Sequence, residues 1–476
     1  MTAPAIVVGG GIAGLTAAVT LARSGRRVLL LEGSSRLGGK IIPIAPDGVG
    51  LDGGPESLLA RRPEAVRLAE SLGLPLVHPT GATSRLLIDG RPRPLPRQAM
   101  GIPVDLAGLA ELLEPGDLAR AEREPDLPAP PLTGDVGIGA YVDARFGPAV
   151  TDRLLEPMLG GVYAGRARDL SFEAVNRPLF ERARSGGSLL AHAADLSSAG
   201  AGAGGPVFAG VPGGVARLVT ALVAELGRLG GEIRTDTTVR KLDRGPGGYR
   251  LEVGAATRTP LADRDVLAAE SVVLAVPAVP LSRLLAGLAP EAAAEVARVP
   301  YASMAVITLV VRGFAGDGSG LLVPPGALPT IKAFTHSSIK WDWVAEQARA
   351  AWGEDVTVIR ASVGRVGEER LLQLDDDQLA DRTFAEAREL VPGWQRSELI
   401  TRVVSRFGGG LPQYLVGHTG LVRRLRTAVA AQPGLAVCGA LLDGVGIAAC
   451  VASGAAAAEV VGGAGSNDQD EDRGER

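Results

Sequence analysis

Ile6-Val7-Val8-Gly9-Gly10-Gly11-Ile12-Ala13-Gly14-Leu15 is the stretch that decides the fold. Three apolar residues make a short strand suited to burial on both faces, and it runs straight into a glycine turn. Residues 15–24, rich in Leu, Ala and Val and closed by Gly25, then form a helix, and Val28-Leu29-Leu30-Leu31 forms a second buried strand. Strand, glycine turn, helix and parallel strand in this order open a Rossmann-type α/β domain. Gly9, Gly11 and Gly14 fit G-x-G-x-x-G: the first allows the tight turn, the second lets backbone approach a pyrophosphate, and the third lets helix pack on strand. Backbone amides of the run Gly9, Gly10, Gly11, Ile12, Ala13 and Gly14 then face the phosphates. A chain with 65 glycines produces such a match by chance as a surface turn, so the flanking elements carry the weight of the reading.

Outward from that turn, Glu32 ends the second strand 18 residues after Gly14, near the place of a carboxylate that accepts hydrogen bonds from ribose hydroxyls. A surface Glu closing a strand is the alternative. The fingerprint by itself does not separate NAD from FAD. The continuation Glu32-Gly33-Ser34-Ser35-Arg36-Leu37-Gly38-Gly39-Lys40 adds a second glycine pair, which lets backbone follow a longer ligand, and a cation at Arg36. It resembles the ExxxRxGG pattern of flavin-dependent amine oxidases, phytoene desaturases and protoporphyrinogen-type oxidases.

That resemblance implies FAD as cofactor and hydride uptake from an organic substrate. Under it, Gly54, Pro55, Glu56 and Ser57 form a turn against the flavin ring and ribityl chain, and Lys40, Val239 and Phe407 join the cofactor set. Gly439, Val445, Gly446 and Ile447 lie near the other end of the chain, before a helix whose amides favour negative charge on the reduced flavin. Five segments narrow the resemblance to the porphyrinogen oxidases: residues 97–103, 155–165, 320–324, 411–418 and 444–447. The Met100-Gly101-Ile102-Pro103 run is similar to the bacterial branch that converts coproporphyrinogen III to coproporphyrin III. Two positions depart from the family pattern: Phe407 stands where a tryptophan is usual, and Ala448 where a proline is usual.

The implied reaction removes six electrons and six protons in three hydride transfers to flavin N5, with oxygen as acceptor and hydrogen peroxide as product, as a step of haem biosynthesis. The flavin carries the hard step, so no general base is named. Four propionates need cations or open water, and Arg85, Lys332 and Lys340 fall in matching segments, although solvated surface charges are the plain alternative. His336 and His418 read as core or surface histidines rather than catalytic ones. Protoporphyrinogen IX as substrate, an amine or carotenoid oxidoreductase on the same fold, and a flavin-holding accessory protein for tetrapyrrole delivery all stay open. So do a ferrochelatase hand-off, a weak peripheral membrane contact and the oligomeric state.

Composition sets the outer limits. With 476 residues the chain exceeds the ~250 to 300 at which one core stops growing, so two or more domains are expected. A net charge of −4, from 49 Lys+Arg against 53 Asp+Glu, gives no field for nucleic acid. Cys438 and Cys450 have no neighbouring His at metal-ligand spacing, so no metal site is expected. Residues 444–458 are too short and weakly apolar to span a bilayer and read as a buried helix, and no secretory signal opens the sequence, which points to the cytoplasm.

The expected architecture is α/β: a discontinuous FAD-binding domain of the amine oxidase and glutathione reductase type, a helical insertion and an α+β substrate-binding region. The FAD-binding domain takes residues 1–84, 205–285 and 405–461, the helical substrate entrance 85–204, and the substrate-binding region 286–404. A disordered acidic tail is expected over 462–476. Proline-rich residues 90–130 read as the departure from the first domain, and 232–239, 249–253 and 271–276 as a β-meander attached to it.

Overall fold

The computed structural model describes residues 3–201, 205–254 and 265–463. A five-stranded sheet runs in the order Glu232–Arg234, Val28–Leu31, Ala5–Val8, Ser271–Leu274, Leu435–Val437. Every pairing in it is parallel. Ala5–Val8, Val28–Leu31 and Ser271–Leu274 are buried at each residue, as a parallel sheet covered on both faces requires. Side-chain alternation sorts them into two layers. Val7, Val28 and Leu30 pack with the helices Ile12–Arg23, Ala216–Arg228 and Ile447–Gly463. Ile6, Val8, Leu29 and Leu31 pack the other way, on Leu242, Leu251, Leu281 and Val422.

That second layer contains a three-stranded antiparallel sheet of Thr238–Gly245, Gly248–Gly254 and Asp265–Ala269. The expected meander is therefore redistributed: Glu232–Arg234 and Ser271–Leu274 belong to the parallel sheet, and the antiparallel sheet lies between them in sequence. Ser271–Leu274 is apolar on both faces and fits a doubly covered position, whereas Gly248–Gly254 alternates and fits a sheet with one solvated face.

A seven-stranded mixed sheet forms the second body, in the order Glu398–Pro412, Tyr301–Arg312, Val356–Val363, Ile331–His336, Gly320–Leu322, Ser84–Ile88, Arg91–Pro94. Only Gly320–Leu322 and Ser84–Ile88 pair in parallel. One face buries Ile307, Ile359 and Phe334 against Trp394 and the helix Asp376–Leu390. The other packs Val310 and Val358 on Trp341 and the helix Asp342–Trp352. The proline-rich run contributes the edge strand Arg91–Pro94, where a missing N–H costs no ladder bond. The domain limits expected at 84/85 and 404/405 both fall inside strands of this sheet.

Helices including Ile138–Phe146, Glu156–Tyr163 and Leu189–Ala201 share a third core around Phe146, Leu154 and Phe172, which Leu86 and Ile88 of the mixed sheet join. The Gly/Ala-rich segment near the C-terminus is a buried helix, Ile447–Gly463, extending past the residue 462 at which the tail was expected to begin. Residues 464–476 lie outside the described residues. Among the described residues no helix is long and apolar enough to cross a membrane.

Candidate functional site

The glycine turn leaves the first strand with the Gly9 N–H donating to the Leu31 carbonyl at 2.8 Å. Gly9 has φ +108°, and a Cβ on it would sit 2.4 Å from the Ala275 carbonyl oxygen. A Cβ on Gly14 would lie 1.9 Å from the Gly9 carbonyl oxygen, so these two glycines are required by the fold itself. Gly11 differs: a Cβ there would meet nothing within 4 Å. Gly11 caps the helix Ile12–Arg23 with no side-chain hydrogen bond, and its first turn holds no acidic residue. The first N–H groups of the helix thus face an open cradle, which fits a pyrophosphate.

Glu32 lies across that cradle. One carboxylate oxygen accepts the Gly10 N–H at 2.7 Å, and the other accepts the Ser34 N–H and hydroxyl, both at 2.8 Å. Ionised carboxylate oxygens have further lone pairs for ribose hydroxyls. Gly33 is closed in by Thr238, whose Oγ1 would be 3.1 Å from a Cβ. Val239 follows at a bulge in the antiparallel sheet.

The second glycine pair folds back onto the first. The Gly38 N–H donates to the Gly10 carbonyl at 2.8 Å, and a Cβ on Gly39 would be 3.2 Å from the Gly11 Cα. Arg36 holds this turn by donating to the carbonyls of Leu37 at 2.9 Å, Ile41 at 3.0 Å and Gly39 at 2.6 Å. Its guanidinium therefore shapes the loop, a role that the expectation of a nearby cation did not include. Burial pulls the Lys40 ammonium below its ordinary pKa. A Cβ on Gly54 would be 2.2 Å from the Lys40 carbonyl oxygen, which stacks the two turns directly.

The C-terminal residues arrive by helix packing. Gly454, in the helix Ile447–Gly463, has no room for a Cβ, which would lie 2.2 Å from the Ala13 carbonyl oxygen. This close approach brings the segment containing Gly439, Val445, Gly446 and Ile447 to the Gly9–Gly14 turn; a Cβ on Gly439 would be 4.0 Å from that of Ala13. Gly439 itself donates its N–H to Ser453 Oγ at 3.1 Å. Phe407 is half-buried in the mixed sheet opposite Met304, on the strand whose Ser405 Oγ would be 2.4 Å from a Cβ on Gly53.

Around Pro55 the chain builds a buried ion network. Glu56 accepts from the Ser337 hydroxyl at 2.7 Å, Lys340 Nζ at 2.9 Å, the Trp341 indole N–H at 3.0 Å and Arg360 at 3.0 Å. Burial alone would raise its pKa, but Lys340 and Arg360 hold the carboxyl well below the ordinary range. Lys340 also donates to the Ser57 hydroxyl at 2.8 Å, and Arg360 donates to the Gly54 carbonyl. Asp52 accepts the N–H groups of Val215 at 2.9 Å and Ala216 at 3.3 Å at the start of the helix Ala216–Arg228, and burial pushes its carboxyl up to about 6.

The three cations expected to meet substrate are thereby separated. Lys340 is held by Glu56 and Ser57, and Arg85 pairs with Asp317 beside Phe314, His336 and Trp394. Lys332 is 1 % exposed and its Nζ has no hydrogen-bond partner among the described residues. The His336 ring is tied to the Gly318 carbonyl at 2.8 Å, and His418 stacks on Tyr414 with ring centroids 4.0 Å apart. Both Cys438 and Cys450 are buried free thiols. Arg360 and Arg365 were not found from sequence. Only Arg360 left a signal there, as a charge inside the apolar strand Val356–Val363.

Residues 12–462 match the family model for flavin containing amine oxidoreductases. The chain is 34% identical to a coproporphyrinogen III oxidase of Mycobacterium tuberculosis, covering 96% of each chain. It is 28% identical to one of Bacillus subtilis, over 95% of this chain and 96% of the other. A crystal structure described as a proposed protoporphyrinogen oxidase, from Exiguobacterium sp. 255-15, superposes with a TM-score of 0.80 at 30% identity, over 96% of this chain and 98% of that one.

Proposed function

The chain belongs to the flavin containing amine oxidoreductase family, and we propose that within it this protein binds FAD and oxidises coproporphyrinogen III to coproporphyrin III. Three molecules of oxygen take the six electrons and six protons and leave as hydrogen peroxide, in a step of haem biosynthesis. The observation that supports this most is the meeting of the Gly9–Gly14 turn, the Gly38–Gly39 turn and the start of the C-terminal helix, in a chain similar to coproporphyrinogen III oxidases over nearly its whole length.

FAD, when bound, supplies the hydride acceptor. The residues present fit it: the open side of Gly11 and the amides of Ile12 and Ala13 take the pyrophosphate, and Glu32 takes ribose hydroxyls. Gly38, Gly39 and Gly54 let backbone lie close along the ligand, with Arg36 and the Glu56 network fixing those turns. The amides at Val445, Gly446 and Ile447 favour negative charge at the start of the last helix. With the hydride acceptor supplied by FAD, the protein's part is to position the substrate carbon and exclude water from it.

The test is purification in air followed by coproporphyrinogen III. A yellow protein that forms fluorescent porphyrin and peroxide faster than the enzyme-free rate supports the reading, and the ratio of rates with protoporphyrinogen IX sets the substrate. Anaerobic substrate that fails to bleach the bound flavin would leave a flavin-holding accessory protein instead. Amine oxidation with inert porphyrinogens would move the assignment to the amine oxidases.

A further inference from the structure

Thr308 and Arg360 stand directly opposite each other on neighbouring antiparallel strands, so their side chains leave the mixed sheet on the same face. That face also carries Val310 and Val358 and is covered by Trp341 and the helix Asp342–Trp352, which contains Trp343. Leu51 packs in this layer and brings the adjacent Asp52 to it. Asp52, Glu56, Thr308, Trp343 and Arg360 share the wall of one cavity of about 10 Å³.

Three of these residues each hold a buried polar atom with no hydrogen-bond partner among the described residues: Thr308 Oγ1, Trp343 Nε1 and Arg360 Nε. Thr308 is 1 % exposed, and the Arg360 side chain 10 %. A buried donor or acceptor left in this state is costly, so three around one small space call for a common partner. Arg360 uses its other nitrogens on Glu56, at 3.0 Å, and on the Gly54 carbonyl. Glu56 accepts four hydrogen bonds and has no lone pair to spare. Asp52 accepts only the Val215 and Ala216 N–H groups and keeps lone pairs free. No direct bond joins Asp52 to Arg360, yet they are close enough to interact: burial raises the Asp52 pKa, and the Val215 N–H and the Arg360 charge oppose it.

We infer that this cavity is a binding site for one water molecule, which accepts from Arg360 Nε and Trp343 Nε1 and donates to Asp52 and Thr308 Oγ1. Two N–H donors without an acceptor and two oxygens with free lone pairs match the valence of water. The volume is about the least that admits one. A cation would meet two N–H donors, one of them on a guanidinium, and a halide would lie against Asp52 and Glu56 in too small a space. The water carries the Arg360 hydrogen bond on to Asp52, so two carboxylates, Asp52 and Glu56, and two cations, Lys340 and Arg360, form one balanced cluster. Through it the start of the helix Ala216–Arg228 is tied to the Gly54 turn and to the mixed sheet. The site is independent of which substrate the protein oxidises.

The experiment is a high-resolution crystal structure of the protein as purified, at pH 8, where Asp52 with its carboxyl pushed up to about 6 is ionised. One solvent peak should lie about 2.7–3.2 Å from Arg360 Nε, Trp343 Nε1 and Thr308 Oγ1, and a bromide-soaked crystal should give no anomalous signal there. A cavity without density overturns the site, and a bromide peak replaces the water by a halide and overturns it too. Urea melts of Thr308→Ile, Trp343→Phe and the double variant test it in solution. Isoleucine fills the cavity and expels the water, so Trp343 Nε1 then has no bond to lose. The fold-change in unfolding constant caused by Trp343→Phe should therefore be at least about twofold smaller in the Thr308→Ile background than in wild type. A difference below twofold means that isoleucine only overpacks the core, and the inference falls. Should Thr308→Ile not fold, the diffraction result alone decides.

Discussion

Gly11→Ala separates what the fold needs from what the cofactor needs. Gly11 has φ −72° and ψ 175°, a conformation any residue adopts, and an added methyl would find no protein atom within 4 Å. Alanine at an N-cap costs about 0.5–1 kcal/mol, and the stiffer unfolded chain returns about 0.4–1 kcal/mol. Stability of the apoprotein should therefore change by less than about 0.5 kcal/mol on these terms. The methyl points into the cradle where the pyrophosphate fits, and losing one charge-assisted hydrogen bond there costs about 1.5–3 kcal/mol, or roughly 10- to 150-fold in Kd. Thermal melts of the apoprotein and flavin-fluorescence titration read the two effects separately. Gly14→Ala is the contrasting control, since its Cβ would lie 1.9 Å from the Gly9 carbonyl oxygen and the fold itself must fail. A folded Gly11→Ala protein that binds FAD within twofold of wild type would refute the placement of the phosphates.

Glu32→Ala should weaken FAD by about 1.5–3 kcal/mol through loss of its ribose bonds, and an unchanged Kd by titration would remove that role. Glu56→Gln leaves Lys340 and Arg360 buried against a neutral amide and should cost about 3–5 kcal/mol at pH 7 in urea melts. The Glu56 pKa is depressed in the folded chain, so its contribution is complete above the unfolded value and fades on acidification through the folded one. The gap between variant and wild type should hold from neutral pH down to the ordinary carboxylate range and shrink below it. Asp52 has the opposite sign: with its folded pKa raised to about 6, its contribution is present below the unfolded pKa and declines as pH rises through 6. Asp52→Asn should flatten that decline, seen as a smaller difference in stability between pH 4 and pH 7.

The parallel sheet was readable because a strand buried on both faces has a composition of its own, and Ala5–Val8, Val28–Leu31 and Ser271–Leu274 all have it. Pairing was not readable. Ser271–Leu274 and Glu232–Arg234 were assigned to a meander because sequence proximity suggested it, while their partners are 163 to 266 residues away in the chain. Among the site residues, glycines could be found because close approach demands them. The charges were harder, since a cation's role depends on which carboxylate reaches it first: Lys340 is taken by Glu56, 284 positions earlier, and Arg85 by Asp317, 232 positions later. Arg36 was read as a cation beside the cofactor, but its three carbonyl acceptors follow from a bend that no pattern encodes.

The parallel sheet draws one strand from Ala5–Val8 and another from Leu435–Val437, and the helix beside the glycine turn runs to Gly463. During synthesis, Val272 to Leu274 thus wait with an unpaired edge until translation has covered more than 160 further residues. At ribosomal speeds of about 5–20 residues per second that is a delay of roughly 8 to 32 seconds. For this interval the nascent chain carries an apolar ribbon with free amides and carbonyls, a template for association with other chains. Closure of the parallel sheet is accordingly a late event in the life of the polypeptide.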